Sequence, residues 1–441
     1  MKDEFLKKFR KILNNELAVK IIGNSSWLIG DKVFTMMLGV FVTAMVARYF
    51  GPEKYGVYNY ALSFVTLFTA FSTLGLETLA VKSIVDKDYD EGTVLFTSFL
   101  MRVVGGVLLT FLSAVIIRII EPNDKTLHIL VLVMSTTMVF KAFEVIEFWI
   151  QAYQKAKISS IIRMTSYILI AALKILIVIL GGDLIHYSLV YTLNTIIVGV
   201  ALIIAYVKNK SSELNWNFDF AFAKYILSQS WYLILSGLMV TLYMQIDKIM
   251  LGTLMNTKTE VGVYSAATQI AQLWYFVPMA IITSFKPVIM KNKGLSNITY
   301  EKSVQMLYSI IVLISLAFGI IIFLFSDMIV GILYGQEFIE ASKILSISVW
   351  AGTFAVLGSA RGVWLICEGL QKYSVIYISL GAIANIFMNL ILIPQIGFYG
   401  AAIATLISQI LVAIIAPALF KKTRTSSLMI LRAFKLKGLI K

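Results

Sequence analysis

The sequence predicts an all-α chain that crosses a lipid bilayer about twelve times, and three observations carry that prediction. Of 441 residues, 59% are hydrophobic and only 14% charged, against roughly a quarter charged in a soluble domain. The mean hydropathy is +0.85. The apolar residues fall in runs long enough to span ~30 Å of hydrocarbon, where a helix satisfies its own backbone groups.

In chain order, residues 1–24 read as a basic amphipathic segment. Phe5, Leu6, Phe9, Ile12 and Leu13 share a face suited to the membrane surface. The apolar run that follows starts too late and runs too long for a cleavable signal peptide. Spans are then expected at 25–50, 57–82, 92–119, 126–152, 157–181, 184–207, 224–254, 259–286, 304–333, 341–367, 373–394 and 398–420. The stretch 304–370 is the hardest to divide, because Phe325-Ser326-Asp327 and Gly335-Gln336-Glu337 interrupt one long apolar run.

Charge outside the spans sets the topology. The side that holds both termini carries 25 Lys and Arg, and the opposite side carries 6. The positive-inside rule places both termini in the cytoplasm, which requires an even number of spans. The net charge of +14 is therefore a topology signal, and no nucleic-acid partner is expected.

Two halves are expected: an N-terminal lobe over 25–207 and a C-terminal lobe over 224–420, six spans each. A cytoplasmic linker over 208–223 joins them, and a basic cytoplasmic tail over 421–441 follows. The sequence Gly56-Val57-Tyr58 opens the second span, and Gly262-Val263-Tyr264 opens the eighth, 206 residues later. Six-span repeats start on the same side of the membrane, so an axis along the membrane normal relates them.

Cys367 is the only cysteine, and the two histidines, His128 and His186, fall near span ends. No disulfide, iron–sulfur cluster or zinc site is expected. No Gly-rich loop followed by Lys and Ser/Thr is present, so no nucleotide or other cofactor is expected. Loops on the non-cytoplasmic side stay short, which argues against a membrane glycan polymerase or ligase.

Charges inside the spans are the candidate functional residues, since each costs about 2.5–3.5 kcal/mol at a span centre. The basic ones are Lys32, Arg102, Lys141, Arg163, Lys174, Lys248 and Arg361. The acidic ones are Asp31, Glu144, Glu147 and Asp247, with Glu77 near an end. Lys141, Glu144 and Glu147 are three apart and share a face, as Asn385 and Asn389 do four apart. Arg163, Tyr167, Ile170 and Lys174 form a stripe.

Two readings stand for most of these residues. Asp31-Lys32, Asp247-Lys248 and Lys141 with Glu144 are either structural ion pairs or parts of a polar pathway. Arg163 and Arg102 either snorkel to the surface or line a cavity. Lys174 and Arg361 lack a partner nearby in sequence, which favours a cavity. The asparagine pair serves as helix–helix glue or as ligands. The excess of cations predicts a positively biased cavity that attracts anions, with aromatic side chains for sugar rings.

The segments Ala47-Arg48-Tyr49-Phe50-Gly51-Pro52-Glu53-Lys54-Tyr55-Gly56, Asp247-Lys248-Ile249-Met250-Leu251-Gly252 and Pro394-Gln395-Ile396-Gly397-Phe398-Tyr399-Gly400-Ala401-Ala402 resemble signatures of the Wzx-type flippases. These flippases belong to the multidrug/oligosaccharidyl-lipid/polysaccharide superfamily. The resemblance implies two six-helix lobes in an inverted V and no enzymatic activity. It implies flipping of an undecaprenyl-diphosphate-linked repeat unit of O-antigen or capsule across a bacterial inner membrane, in lipopolysaccharide biosynthesis or polysaccharide export. Transport would be driven by antiport of protons or Na+, with contact to the polysaccharide polymerase. Lys174, Arg102 and Arg361 are then expected on the diphosphate or acidic sugars, followed by Lys32, Lys141, Arg163 and Lys248. Asp31, Glu144 and Asp247 are expected as gating or ion-coupling groups. The rival readings are a multidrug/cation antiporter of the same superfamily and a lipid II flippase.

Overall fold

A computed structural model of the chain describes residues 16–73, 75–209 and 216–435. The amphipathic pattern over Phe5–Leu13, linker residues 210–215 and the last six residues lie outside them. Ten helices among the described residues are long and apolar enough to span a membrane. One such stretch, Gly30–Asp86, holds the first two expected spans, and Phe220–Leu254, 35 residues long, is the seventh. The all-α, twelve-span architecture therefore stands.

The first turn-back lies inside Glu16–Ser72, a continuous helix but for Gly51 at φ 71°. That left-handed value suits glycine, and Pro52 then starts the returning helix, where its missing N–H costs nothing. In the stretch hardest to divide, Phe325-Ser326-Asp327 does not interrupt Asn297–Tyr334. The break falls at Gly335, φ 84°, and Ala341–Cys367 follows.

Several expected spans are segmented. Residues 57–82 divide between the helix ending at Ser72 and a second, Glu77–Asp86. The fourth span runs Lys125–Ser135, then a tight 3-10 segment at Lys141–Val145, then Ile146–Ala152. The eighth divides into Thr259–Leu273 and Phe276–Lys293. The twelfth carries a π turn at Leu411–Ile415. The expected tail includes a further helix, Arg424–Ala433.

The chain folds as two compact units. Unit 1 is Met1–Val42 with Val65–Gly237, and unit 2 is Thr43–Phe64 with Leu238–Lys441. Thr43–Phe64 goes with unit 2 because it packs on helices of the second half. The two Gly-Val-Tyr motifs meet there. A Cβ on Gly56 would lie 1.7 Å from the Lys258 carbonyl oxygen, and one on Gly262 would lie 2.0 Å from that of Pro52. Each glycine thus admits the backbone four residues before the other, a reciprocal contact that follows the internal repeat. Arg48 adds to it by donating to the carbonyls of Leu333 at 2.9 Å and Gly331 at 3.2 Å, which caps the end of Asn297–Tyr334.

Unit 1 packs around Leu76, Leu95, Phe148, Trp149, Leu202 and Phe222. On its outer side, Leu108, Phe111 and Ile119 are 63%, 72% and 73% exposed. Apolar side chains this exposed along one membrane-length helix are solvated by lipid tails.

Candidate functional site: two polar clusters

Unit 1 holds a cavity of about 240 Å³ lined by Glu77, Arg102, Glu144, Glu147, Gln151 and Arg163, among others. Its geometry follows from the segmented fourth span. The 3-10 segment ends at Val145, and Glu144 near its end and Glu147 in the first turn of the next helix both line this opening. Arg163 Nη2 donates to Glu147 Oε1 at 2.8 Å, and Ser159 Oγ donates to the same carboxylate at 2.9 Å. Gln151 Nε2 donates to Glu77. Arg102, 5% exposed, has its guanidinium 5.9 Å from the Phe148 ring centre and feels the charges of Glu144 and Glu77. Asp31 is 8% exposed and its Oδ1 has no hydrogen-bond partner. Arg163 and Glu147 are its strongest charged neighbours.

Unit 2 holds a smaller cavity of about 70 Å³ whose lining includes Tyr243, Asp247, Lys248, Tyr264, Gln272, Thr405 and Gln409. At its buried edge the Asp247 carboxylate accepts from three neutral donors. The Tyr264 hydroxyl lies 2.6 Å from Oδ2, Asn389 Nδ2 lies 2.7 Å from Oδ1, and Thr405 Oγ1 also donates to Oδ2. Asn389 donates as well to Asn385 Oδ1 at 3.0 Å, while its own Oδ1 is buried without a partner. The asparagine pair is thus joined to the carboxylate rather than simply holding two helices together. Tyr264, the tyrosine of the second Gly-Val-Tyr motif, and Thr405 were not singled out from sequence. The motif itself was the available signal for Tyr264, and Thr405 had none.

The expected intramembrane cations divide between these two linings and other surroundings. Arg102 and Arg163 line unit 1's cavity beside three carboxylates, and Lys248 lines unit 2's beside Asp247. Lys32, Lys141, Lys174 and Arg361 are on neither lining. Lys32 is exposed, and Lys141 interacts with Glu144 from the far end of the 3-10 segment. Lys174, with no partner nearby in sequence, has its ammonium 5.0 Å from the Tyr187 ring centre. Arg361 is 2% exposed, lies 5.0 Å from the Tyr377 ring centre, and donates through Nη1 to the Ala413 carbonyl at 2.7 Å. That carbonyl belongs to the π turn, where the shifted ladder leaves backbone acceptors in need of donors. Arg361 therefore holds a helix irregularity together. Arg163, its side chain 44% exposed, pairs with Glu147 on the cavity lining.

The polysaccharide biosynthesis protein family matches residues 21–293, which include the whole of unit 1's cluster and Asp247. The chain belongs to this family. The MatE family matches residues 233–391, so the expected superfamily membership holds. The chain is similar to the capsular polysaccharide biosynthesis protein CapF of Staphylococcus aureus, with 24% identity over 409 residues, 91% of this chain and 99% of that protein. It also resembles a probable low-salt glycan biosynthesis flippase, Agl15, of Haloferax volcanii, with 25% identity over 228 residues. That match covers 50% of this chain and 46% of that protein. Among solved structures, the lipid II flippase MurJ in an inward closed conformation superposes with a TM-score of 0.75 at 16% identity, covering 94% of this chain and 93% of that one. The shared fold is that of a membrane transporter.

Proposed function

We propose that this protein flips lipid-linked oligosaccharide repeat units, carried on undecaprenyl diphosphate and destined for capsule or O-antigen, from the cytoplasmic to the outer leaflet of a bacterial inner membrane. The observation that carries this reading is a charged cavity inside unit 1 of a chain from the polysaccharide biosynthesis family. A head group of hydroxyls and phosphates is too polar to cross hydrocarbon unaided. Arg102 and Arg163 supply cations for its acidic groups, and Glu77, Glu144 and Gln151 supply acceptors and donors for its hydroxyls. The similarity to CapF over nearly the full length of both chains supports a polysaccharide cargo.

Coupling to an ion is assigned to Asp247. Its carboxylate sits among neutral donors with the unpartnered Asn389 Oδ1 beside it. A proton or Na+ arriving there replaces one of those donors and disturbs contacts among four segments, Phe220–Leu254, Thr259–Leu273, Lys372–Ile396 and Phe398–Ile410.

The test is export of surface polysaccharide by a strain that lacks its own flippase, complemented with this chain. Arg102→Ala should reduce surface glycan about tenfold or more at equal protein level, the scale set by loss of one charge-assisted contact worth ~1.5–3 kcal/mol. Unchanged glycan would overturn the cargo assignment.

One observation favours a second reading, an antiporter for organic cations. Three carboxylates outnumber two cations on unit 1's lining, and such a lining attracts cations. Increased drug resistance on expression, with surface glycan unrestored, would favour that reading. A strain viable without the protein but lacking surface glycan would exclude lipid II as its cargo.

A further inference from the structure

The helix Arg424–Ala433 starts five residues after the last membrane helix ends at Leu419. One face of it is docked. The Ser426 and Tyr308 hydroxyls are 3.2 Å apart, Gln305 Nε2 donates to the Met429 carbonyl at 3.1 Å, and Ser427 Oγ donates to the Ile414 carbonyl at 2.9 Å. Thr423, Ser426, Ile430 and Ala433 are fully buried on that face. These contacts set the rotation of the helix, and so decide which residues point away from unit 2.

The outward residues are of two kinds. Leu428, Leu431 and Phe434 are 44%, 47% and 38% exposed, and Leu419 just before them is 76% exposed. Lys421, Lys422, Arg424, Arg432 and Lys435 are exposed alongside, and residues 421–435 contain no Asp or Glu. A bare apolar stripe in water is unfavourable. An apolar stripe bordered by five cations, one short turn from the end of a membrane helix, matches the acyl boundary and head groups of a lipid leaflet.

We propose that Lys421–Lys435 forms a lipid-binding surface selective for anionic phospholipid head groups. Leu428, Leu431 and Phe434 enter the interface, and the five basic side chains engage phosphates. Polybasic segments beside a membrane gain attraction from each Lys or Arg and lose it as salt shortens the Debye length. A zwitterionic surface offers the apolar part of this fit without the charge part. A protein partner would instead leave the stripe wet in pure lipid.

The experiment uses the full chain in nanodiscs. A spin label is placed by Leu431→Cys in a Cys367→Ser background, and its accessibility to oxygen and to a water-soluble nickel chelate is compared. In discs containing phosphatidylglycerol the label should be oxygen-accessible and shielded from nickel; in phosphatidylcholine alone the shielding should fall by half or more. K421Q/K422Q/R424Q/R432Q/K435Q should bring the anionic discs down to the phosphatidylcholine level. Should that variant fail to fold, raising the salt on the parent chain should do the same. A label open to nickel in anionic discs would overturn the proposal. So would shielding that is equal in both lipids, or indifferent to neutralisation and salt.

Discussion

Unit 1 gathers its charges as a mixed group: two guanidinium groups and three carboxylates around one cavity, with Asp31 nearby. Unit 2 buries one carboxylate among neutral donors, with its guanidinium, Arg361, committed to a backbone carbonyl elsewhere. The difference bears on how each unit responds to cargo. In unit 1 Arg102 and Arg163 each have more than one carboxylate within reach, so Arg163 can change partners and cargo can replace a protein contact at small cost. In unit 2 the carboxylate has no basic hydrogen-bond partner among the described residues, and disturbing it strands several donors together. On the proposed function, unit 1 would accept cargo and unit 2 would register an ion.

The largest expected effect is at Asp247. Asp247→Ala leaves the Tyr264, Thr405 and Asn389 donors without their acceptor, at about 1–3 kcal/mol for each orphaned group. Transport should be abolished and the thermal unfolding temperature in detergent should drop. Asp247→Asn keeps an acceptor, so the fold should hold while transport loses its dependence on the coupling ion. An Asn variant that still responds to the ion gradient would break the contrast between the units.

Next is the ion pair in unit 1. Arg163→Glu and Glu147→Arg singly place like charges together, and each should cut glycan export about tenfold. The exchanged pair, R163E/E147R, should recover much of that loss. Stability should move by no more than about 1 kcal/mol, since the pair borders an open cavity and is partly screened. Failure of the exchange to rescue would mean that cargo reads the position of the arginine, not merely the pairing.

Arg361→Ala should act in the opposite manner, lowering stability by about 1–3 kcal/mol through the unpaired Ala413 carbonyl. Export per folded molecule should change little. A melting curve alongside a transport assay normalised to folded protein separates the two effects.

The smallest effect lies in the loop before Leu184. The backbone N–H groups of His186 and Ile185 donate to Asp183 at 3.0 Å each. The His186 bond, foremost, holds the Asp183 carboxyl below its usual range. A carboxyl lowered by folding contributes stability above its unfolded value and loses that contribution as pH falls through its folded value. Melting temperatures of parent and Asp183→Asn should therefore differ slightly at neutral pH and converge below about pH 3.8.

Much of the fold was legible because hydropathy and loop charge are one-dimensional signals. Length decides a span, and Lys/Arg placement decides its direction. Even Gly335, where the structure breaks the longest apolar run, stood in the sequence beside a competing break at Phe325-Ser326-Asp327. The site was legible only in part. Arg102, Arg163, Glu144 and Asp247 stood out because a charge in hydrocarbon is costly wherever it faces. Lys174 and Arg361 stood out for the same reason but face Tyr187 and the π turn, partners supplied by neighbouring helices.

The sequence by itself determined that this chain lives in a membrane, about how many times it crosses, and which residues are too polar to meet lipid. Tertiary structure alone decided which of those residues share a cavity. Glu144 and Glu147 line one opening across the end of a 3-10 segment, a π turn claims an arginine, and Gly56 meets Gly262 through backbone contacts that no side-chain pattern encodes. Composition sets the cost of burying a charge, whereas the packing of distant helices decides what offsets it.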